Sequence, residues 1–339
     1  MSELGDVITL VMGAGGVETQ KLVTSLISDV VKRRLGPLGL DDFDDSAVVE
    51  FGEFKVAITV DSYTIKPVFF PGGDIGKLAI SGTINDLVAV GARPVAVLDS
   101  IVVEEGFPLG DLARIAKSIQ DIANRYNIAL LGGDFKVMPK GSLDGVVVTM
   151  VGLGVCEVGP LSDSNVKVGD KIVITGPVGD HGAMVLAHQL NMLSEVSISS
   201  DCRPLYELID VMKRVGGVHA CKDPTRGGLA MALNEFARKS NVCIVIYEEY
   251  IPVRESVRSL AELTGVDYLE LACEGQMVMS VDAEFADELI EELKRYGFSE
   301  ASVIGEVREE PRGTVLLRTS IGSARILQPP IGAPIPRIC

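Results

Sequence analysis

Long apolar runs, histidine and paired cysteines are what this chain is short of. No stretch of roughly 18 or more residues is apolar without a charge or a breaker, so no membrane-spanning helix is expected. The opening Met1-Ser2-Glu3-Leu4-Gly5-Asp6 has no basic segment and no secretory cleavage pattern, which predicts a cytoplasmic protein. Its three histidines, His181, His188 and His219, form no zinc signature such as H-E-x-x-H. The six cysteines at 156, 202, 221, 243, 273 and 339 contain no C-x-x-C pair for zinc or redox work, and in the cytoplasm they would stay reduced. No transition-metal cofactor is therefore expected. Positive charge is scarce too: 31 Lys and Arg stand against 47 Asp and Glu, a formal charge of −16. Nucleic acid is a poor partner for such a chain, because its phosphates need clustered Lys and Arg. Proteins and small ligands fit better.

What is present is core material. With 339 residues and 47% hydrophobic content, the chain is long enough for two domains. Strand-like and helix-like runs alternate with glycine punctuation, which predicts a mixed α/β (α+β) architecture. Residues 56–60 and 146–151 read as buried strands, 171–175 as an apolar run; 75–90, 112–126, 205–215, 229–240 and 283–296 read as helices. The polar segment 159–170 marks a boundary, giving domains 1–160 and 161–328. Beyond them, prolines 329, 330, 334 and 336 deny residues 329–339 a helix and predict an extended, mobile arm. Ten such residues reach roughly 30 Å. The arm ends on Cys339, a thiol placed as a reactant rather than as core.

Glycine-rich segments invite nucleotide readings. Gly13-Ala14-Gly15-Gly16 lacks the third glycine of a dinucleotide fingerprint, because position 18 is Glu18. Pro71-Gly72-Gly73-Asp74-Ile75-Gly76-Lys77-Leu78 fails as a P-loop at both Pro71 and Leu78. In the helix that follows, Asp74, Lys77, Ser81 and Asn85 recur at three- and four-residue spacing and form a polar stripe with Asp86 beside it. That stripe is either a solvated face or a set of acceptors aimed into a cleft. Further carboxylates sit at strand ends and turns: Asp44-Asp45-Ser46-Ala47, Asp61, Gly132-Gly133-Asp134 and Asp223-Pro224-Thr225-Arg226-Gly227-Gly228. Converging on one cleft, they would hold Mg²⁺ against nucleotide phosphates.

These segments, with Gly82-Thr83-Ile84-Asn85-Asp86-Leu87-Val88-Ala89-Val90-Gly91-Ala92, resemble the ATP-using superfamily of aminoimidazole ribonucleotide synthetase and selenophosphate synthetase. Within it the chain is most similar to the HypE family of hydrogenase maturation factors. Phe69-Phe70-Pro71-Gly72-Gly73, Gly179-Asp180-His181-Gly182 and the ending Pro336-Arg337-Ile338-Cys339 carry that closer likeness, which spans nearly the whole chain. The resemblance implies a two-domain PurM-like fold and a homodimer whose N-terminal sheets pair into a barrel. It also implies ATP with Mg²⁺, and the carbamoyltransferase HypF and an iron-carrying HypC–HypD complex as partners.

By the same resemblance, Cys339 accepts a carbamoyl group that ATP-driven dehydration turns into a thiocyanate, the source of the cyanide ligand of [NiFe]-hydrogenase. Asp45, Asp61, Asp86, Asp134 and Asp223 become the expected magnesium and phosphate residues, with Lys77, Asn85, Thr225, Arg226 and Gly227 beside the nucleotide. Losing oxygen from a thiocarbamate requires activating it as phosphate and removing two protons from nitrogen, so the site needs a base and positive charge. Glu274, in Ala272-Cys273-Glu274-Gly275, is the expected proton acceptor; Lys136 is expected to stabilise the phosphoryl group or orient the carbamoyl oxygen. Two departures, Met12 and Phe43 where histidine and glycine are frequent in the family, touch only the N-terminal cover of the nucleotide. Two other readings stay open: a small-molecule synthetase or kinase of the same superfamily, and a non-catalytic carrier of a modified cysteine.

Overall fold

The computed structural model describes residues 7–13, 17–194, 196–330 and 336. Cys339, with residues 331–335, 337 and 338 of the proline-rich ending, and Gly15-Gly16 lie outside them. The first half of the chain gives α1 (Val17–Leu26), β1 (Ala47–Phe51), β2 (Phe54–Tyr63), the short pair β3 (Phe69–Phe70) and β4 (Gly73–Asp74), α2 (Ile75–Ala89), β5 (Ala92–Glu104), α3 (Leu109–Arg125), β6 (Ala129–Met138) and β7 (Val146–Cys156). Its five-stranded sheet runs β1-β2-β7-β5-β6, with only β5 and β6 parallel. Helices α2 and α3 pack together, and α2 lies against β2, β5 and β7.

The second half gives β8 (Lys171–Ile174), α4 (Asp180–Gln189), α5 (Leu208–Val215), β9 (Val218–Lys222), α6 (Gly228–Ser240), β10 (Cys243–Tyr247), α7 (Glu255–Thr264), β11 (Val278–Val281), α8 (Ala286–Arg295), β12 (Ser302–Arg308), β13 (Thr314–Arg318) and β14 (Ala324–Ile326). Its seven-stranded sheet runs β14-β13-β10-β12-β8-β11-β9, where only β10 and β13 are parallel. The architecture is a two-domain α/β fold with two mixed sheets. Among the described residues no helix is long and apolar enough to cross a membrane.

Helix α2 is the element that ties the halves together. Asp74 caps its start, accepting from the amides of Gly76 (2.8 Å) and Lys77 (3.0 Å), which would otherwise lack partners. An amphipathic helix would leave one face in water. Here Ile75, Leu78 and Ile84 are buried, and Ser81 and Asn85 are equally buried. The polar stripe is split: Asp74 caps the helix, Lys77 turns back to Gly72, Asp86 beside it lines the cleft, and Asn85 packs against the second domain. The reason is visible at Leu205, whose N–H donates to Asn85 Oδ1 at 2.8 Å. The helix expected over 205–215 begins instead at Leu208. One apolar core continues across the junction, joining Ile75 and Leu78 to Met184, Leu205 and Leu208.

Candidate active site

A cleft of about 930 Å³ opens where the two domains meet. The start of β1, strand β2, helix α2, the turn after β9 and the turn before β11 each send carboxylates to its wall. Asp45, Asp61, Asp86, Asp223 and Glu274 all line it, with Thr225 and Arg226. Local hydrogen bonds fix two of them. Thr59 Oγ1 donates to Asp86 Oδ2 at 2.8 Å, and Ser46 Oγ to the Asp86 carbonyl at 3.0 Å. Asp45 is held by Lys222 Nζ at 2.7 Å.

Gathering these acids is electrostatically costly. Burial pushes Asp86 well above the usual carboxylate range, and Asp223, Asp61 and Asp45 push it further. Burial raises Asp223 to about 6 despite the neighbouring Lys222. Glu274 is driven well upward by burial and then by Asp223 and Asp201. A carboxyl with raised proton affinity is suited to take a proton near neutral pH. A hard divalent cation would relieve the repulsion, and an all-oxygen donor set is what Mg²⁺ prefers. Among the described residues no three such side chains yet stand close enough to hold a metal by themselves.

Other expected residues are placed elsewhere. Lys77 Nζ donates to the Gly72 carbonyl at 2.7 Å, closing the turn before α2 rather than lining the cleft. Asn85 is 1% exposed and spends its amide on backbone groups of residues 203, 205 and 274. Asp134 and Lys136 sit on β6, the exposed edge of the five-stranded sheet. Strands β7 and β5 separate them from β2, about 14 Å at the usual strand spacing. Within one chain they do not line this cleft. Gly227 borders the cleft as the left-handed cap of α6 (φ 78°), and Pro330 lies 3.3 Å from where a Cβ would stand there. Pro330 of the proline-rich segment therefore lies beside the cleft.

Several cleft residues were not singled out from sequence. Lys222 also meets Asp163 at 3.2 Å and Glu235 at 3.3 Å, while Lys239 bridges Asp44 (2.9 Å) and Asp163 (2.7 Å). The signal for Lys222 was its place directly before Asp223. Lys32, Arg33 and Arg34 add positive charge at the wall.

Comparison with known proteins follows the same two-part division. Residues 43–156 match the family described as AIR synthase related protein, N-terminal domain, and residues 167–318 its C-terminal domain. A putative hydrogenase expression/formation protein of Methanocaldococcus jannaschii is 41% identical, covering 98% of this chain and 99% of its own. The carbamoyl dehydratase HypE of Azotobacter vinelandii is 39% identical, covering 98% and 97%. The chain belongs to the HypE family. Solved HypE structures agree with that placement. The HypE in a HypE–HypF complex superposes with a TM-score of 0.84 at 38% identity, covering 91% of this chain and 99% of that one. A HypE in complex with ATP gives 0.81 at 34% identity, covering 98% and 100%.

Proposed function

We infer that this chain is an ATP-dependent carbamoyl dehydratase of [NiFe]-hydrogenase maturation, converting a thiocarbamate on Cys339 into a thiocyanate. One observation carries it: Asp45, Asp61, Asp86, Asp223, Thr225, Arg226 and Glu274, from separate segments, line one interdomain cleft in a chain that belongs to the HypE family. Phosphoryl transfer from ATP to the carbamoyl oxygen forms the O–P bond and breaks the γ-phosphate's bond to ADP. Expulsion of that oxygen as phosphate, with loss of both nitrogen protons, leaves R–S–C≡N. Glu274 takes a proton from nitrogen, which its raised proton affinity favours. Asp45, Asp61, Asp86 and Asp223 would hold Mg²⁺, which neutralises charge on the transferring phosphoryl group. Thr225, Arg226 and Gly227 bind the phosphates at the start of α6, where bare amides and the helix dipole favour anions.

Residues 1–160 form the nucleotide-binding and dimerisation domain, 161–328 the second domain and 329–339 the arm. The exposed edge strand β6 supports the homodimer barrel: Leu131, Phe135 and Val137 are all more than half exposed, and an open apolar edge invites pairing. In the dimer, Asp134 and Lys136 reach the partner's cleft, Asp134 as an additional Mg²⁺ and phosphate residue and Lys136 on the phosphoryl or carbamoyl oxygen. HypF supplies the carbamoyl group, as the HypE–HypF complex of a relative suggests, and a HypC–HypD complex receives the cyano group.

The test is to carbamoylate the protein with carbamoyl phosphate, HypF and ATP, purify it, add fresh Mg-ATP and weigh the C-terminal peptide. Loss of one water from the carbamoylated peptide is expected. A peptide that stays carbamoylated overturns the dehydratase reading. Glu274→Ala is expected to stall at the carbamoyl stage, and Cys339→Ala to bind ATP without forming any cyano product.

A further inference from the structure

The turn that carries Glu274 is gripped at every backbone polar group of residues 274 and 275. Asp201 takes both amides: Glu274 N–H donates to Oδ1 at 3.0 Å and Gly275 N–H to Oδ2 at 3.1 Å. The Gly275 carbonyl accepts from Arg203 Nε at 3.1 Å. The Glu274 carbonyl accepts from the Arg203 N–H at 3.3 Å and from Asn85 Nδ2 at 3.4 Å. Gly275 allows this closeness, since a Cβ there would stand 2.0 Å from the Asp201 carbonyl oxygen.

Asn85 reaches this turn from the other domain. A backbone N–H can only donate, so the Leu205 amide at 2.8 Å fixes which end of Asn85 is oxygen. Its nitrogen is thereby turned toward the carbonyls of Arg203 (3.2 Å) and Glu274. Neither Asn85 nor Asp201 lines the cleft. The next residue along α2, Asp86, does line it and is held by Thr59. Two successive residues of one helix thus face different tasks, one at the cleft carboxylates and one behind the base.

We propose that Asn85 and Asp201 are positioning residues for Glu274, and that α2 sets the spacing between the proton acceptor and the aspartates that would hold the nucleotide. The inference rests on the assignment of Glu274 as the base. Reacting groups must be held within a fraction of an ångström, and a misplacement of about 1 Å can cost on the order of a hundredfold in rate. Asn85→Asp keeps size and the oxygen facing Leu205, but turns a carbonyl-facing donor into an acceptor.

The experiment follows dehydration of carbamoylated protein in a single turnover at varied Mg-ATP. Asn85→Asp is expected to lower the limiting rate tenfold or more, with ATP half-saturation within twofold of the parent. In a Glu274→Gln background the same change is expected to add less than threefold, because its effect runs through Glu274. An unchanged limiting rate overturns the proposal, as does a loss confined to half-saturation or an equal loss in the Glu274→Gln background. If Glu274→Gln alone turns over at the parent rate, the base assignment fails, a result separable from the others. Should Asn85→Asp lack a cooperative melting transition, Asp201→Asn, which keeps one of the two acceptor oxygens, is judged by the same criteria.

Discussion

Lys222 Nζ lies 2.7 Å from Asp45 Oδ1 inside the cleft wall, only 8% of the lysine being exposed. Burial alone would make this lysine shed its proton, but Asp163 and Asp45 hold its affinity well above the ordinary value. The ammonium is a resident counterion for an acidic site. Removing it leaves Asp45, Asp163 and Glu235 facing one another without it. Lys222→Met is therefore expected to cost about 3–5 kcal/mol, the usual loss when one partner of a buried ion pair is deleted. Calorimetric melting without nucleotide checks this, and an unchanged melting temperature refutes it.

Asp86 should behave in the opposite sense. Its charge is buried and repelled by Asp223, Asp61 and Asp45, so Asp86→Asn relieves strain in the empty protein. The melting temperature without nucleotide is expected to rise by about 2 °C for roughly 1 kcal/mol. Added Mg-ATP should then stabilise the variant far less than the parent. A lower melting temperature, or a full nucleotide shift, would count against this account.

If Lys136 serves the partner's cleft, two inactive chains should rescue each other. Mixing Lys136→Ala with Glu274→Ala subunits creates heterodimers with one complete site, built from the first chain's Glu274 and the second chain's Lys136. Dehydration activity is expected to reappear on subunit exchange. No recovery in a mixture shown by native mass spectrometry to contain heterodimers would place Lys136 outside the site.

His181 predicts a pH effect on stability. It is fully buried, with Nδ1 2.8 Å from Ser200 Oγ, and burial pushes its pKa down to about 3. In the unfolded chain it binds a proton near 6.5. Its contribution is therefore complete above pH 6.5 and is lost as pH falls through that window, by at most about 1.4 kcal/mol per pH unit. Asp201, raised from 3.8 to about 6 by burial, works the other way: the folded state takes its proton first and gains stability on acidification. The difference between parent and His181→Gln isolates the histidine. That difference should shrink between pH 7 and 5, and a constant gap would contradict it.

The parts of this molecule that sequence disclosed are those governed by short spacing. Helix α2, strands β2 and β7 and the turn at 223–228 follow from periodicity, capping and glycine placement. The carboxylates that meet at the cleft were visible because each stands at a strand end, a turn or a helix. Spacing could not tell where a face would be buried. Asn85 and Lys77 share a stripe with Asp74, yet Asn85 is claimed by the 200–205 loop and Lys77 by its own turn, choices made by tertiary packing. Lys136 follows Asp134 at two residues' distance, but strand order, which no local pattern encodes, carries both to the far edge of the sheet. Lys222 was hidden because a lysine beside an aspartate usually marks a wet surface. The expected reactivity of Cys339 falls outside the described residues.

Leu327 is a firmly anchored point just before the proline-rich segment. Its amide donates to the Val315 carbonyl at 2.9 Å, its carbonyl accepts from Asn234 Nδ2 at 3.0 Å, and it is 1% exposed. Twelve residues follow it, which can span at most about 40 Å. On the proposed assignment of Cys339 as the carbamoyl carrier, a thiol on so short a leash would meet the cleft at an effective concentration in the millimolar range. On that assignment the reacting group never has to be captured from solution, and affinity for a free substrate is not something the active site needs to provide. Lengthening the leash would dilute its own reactant.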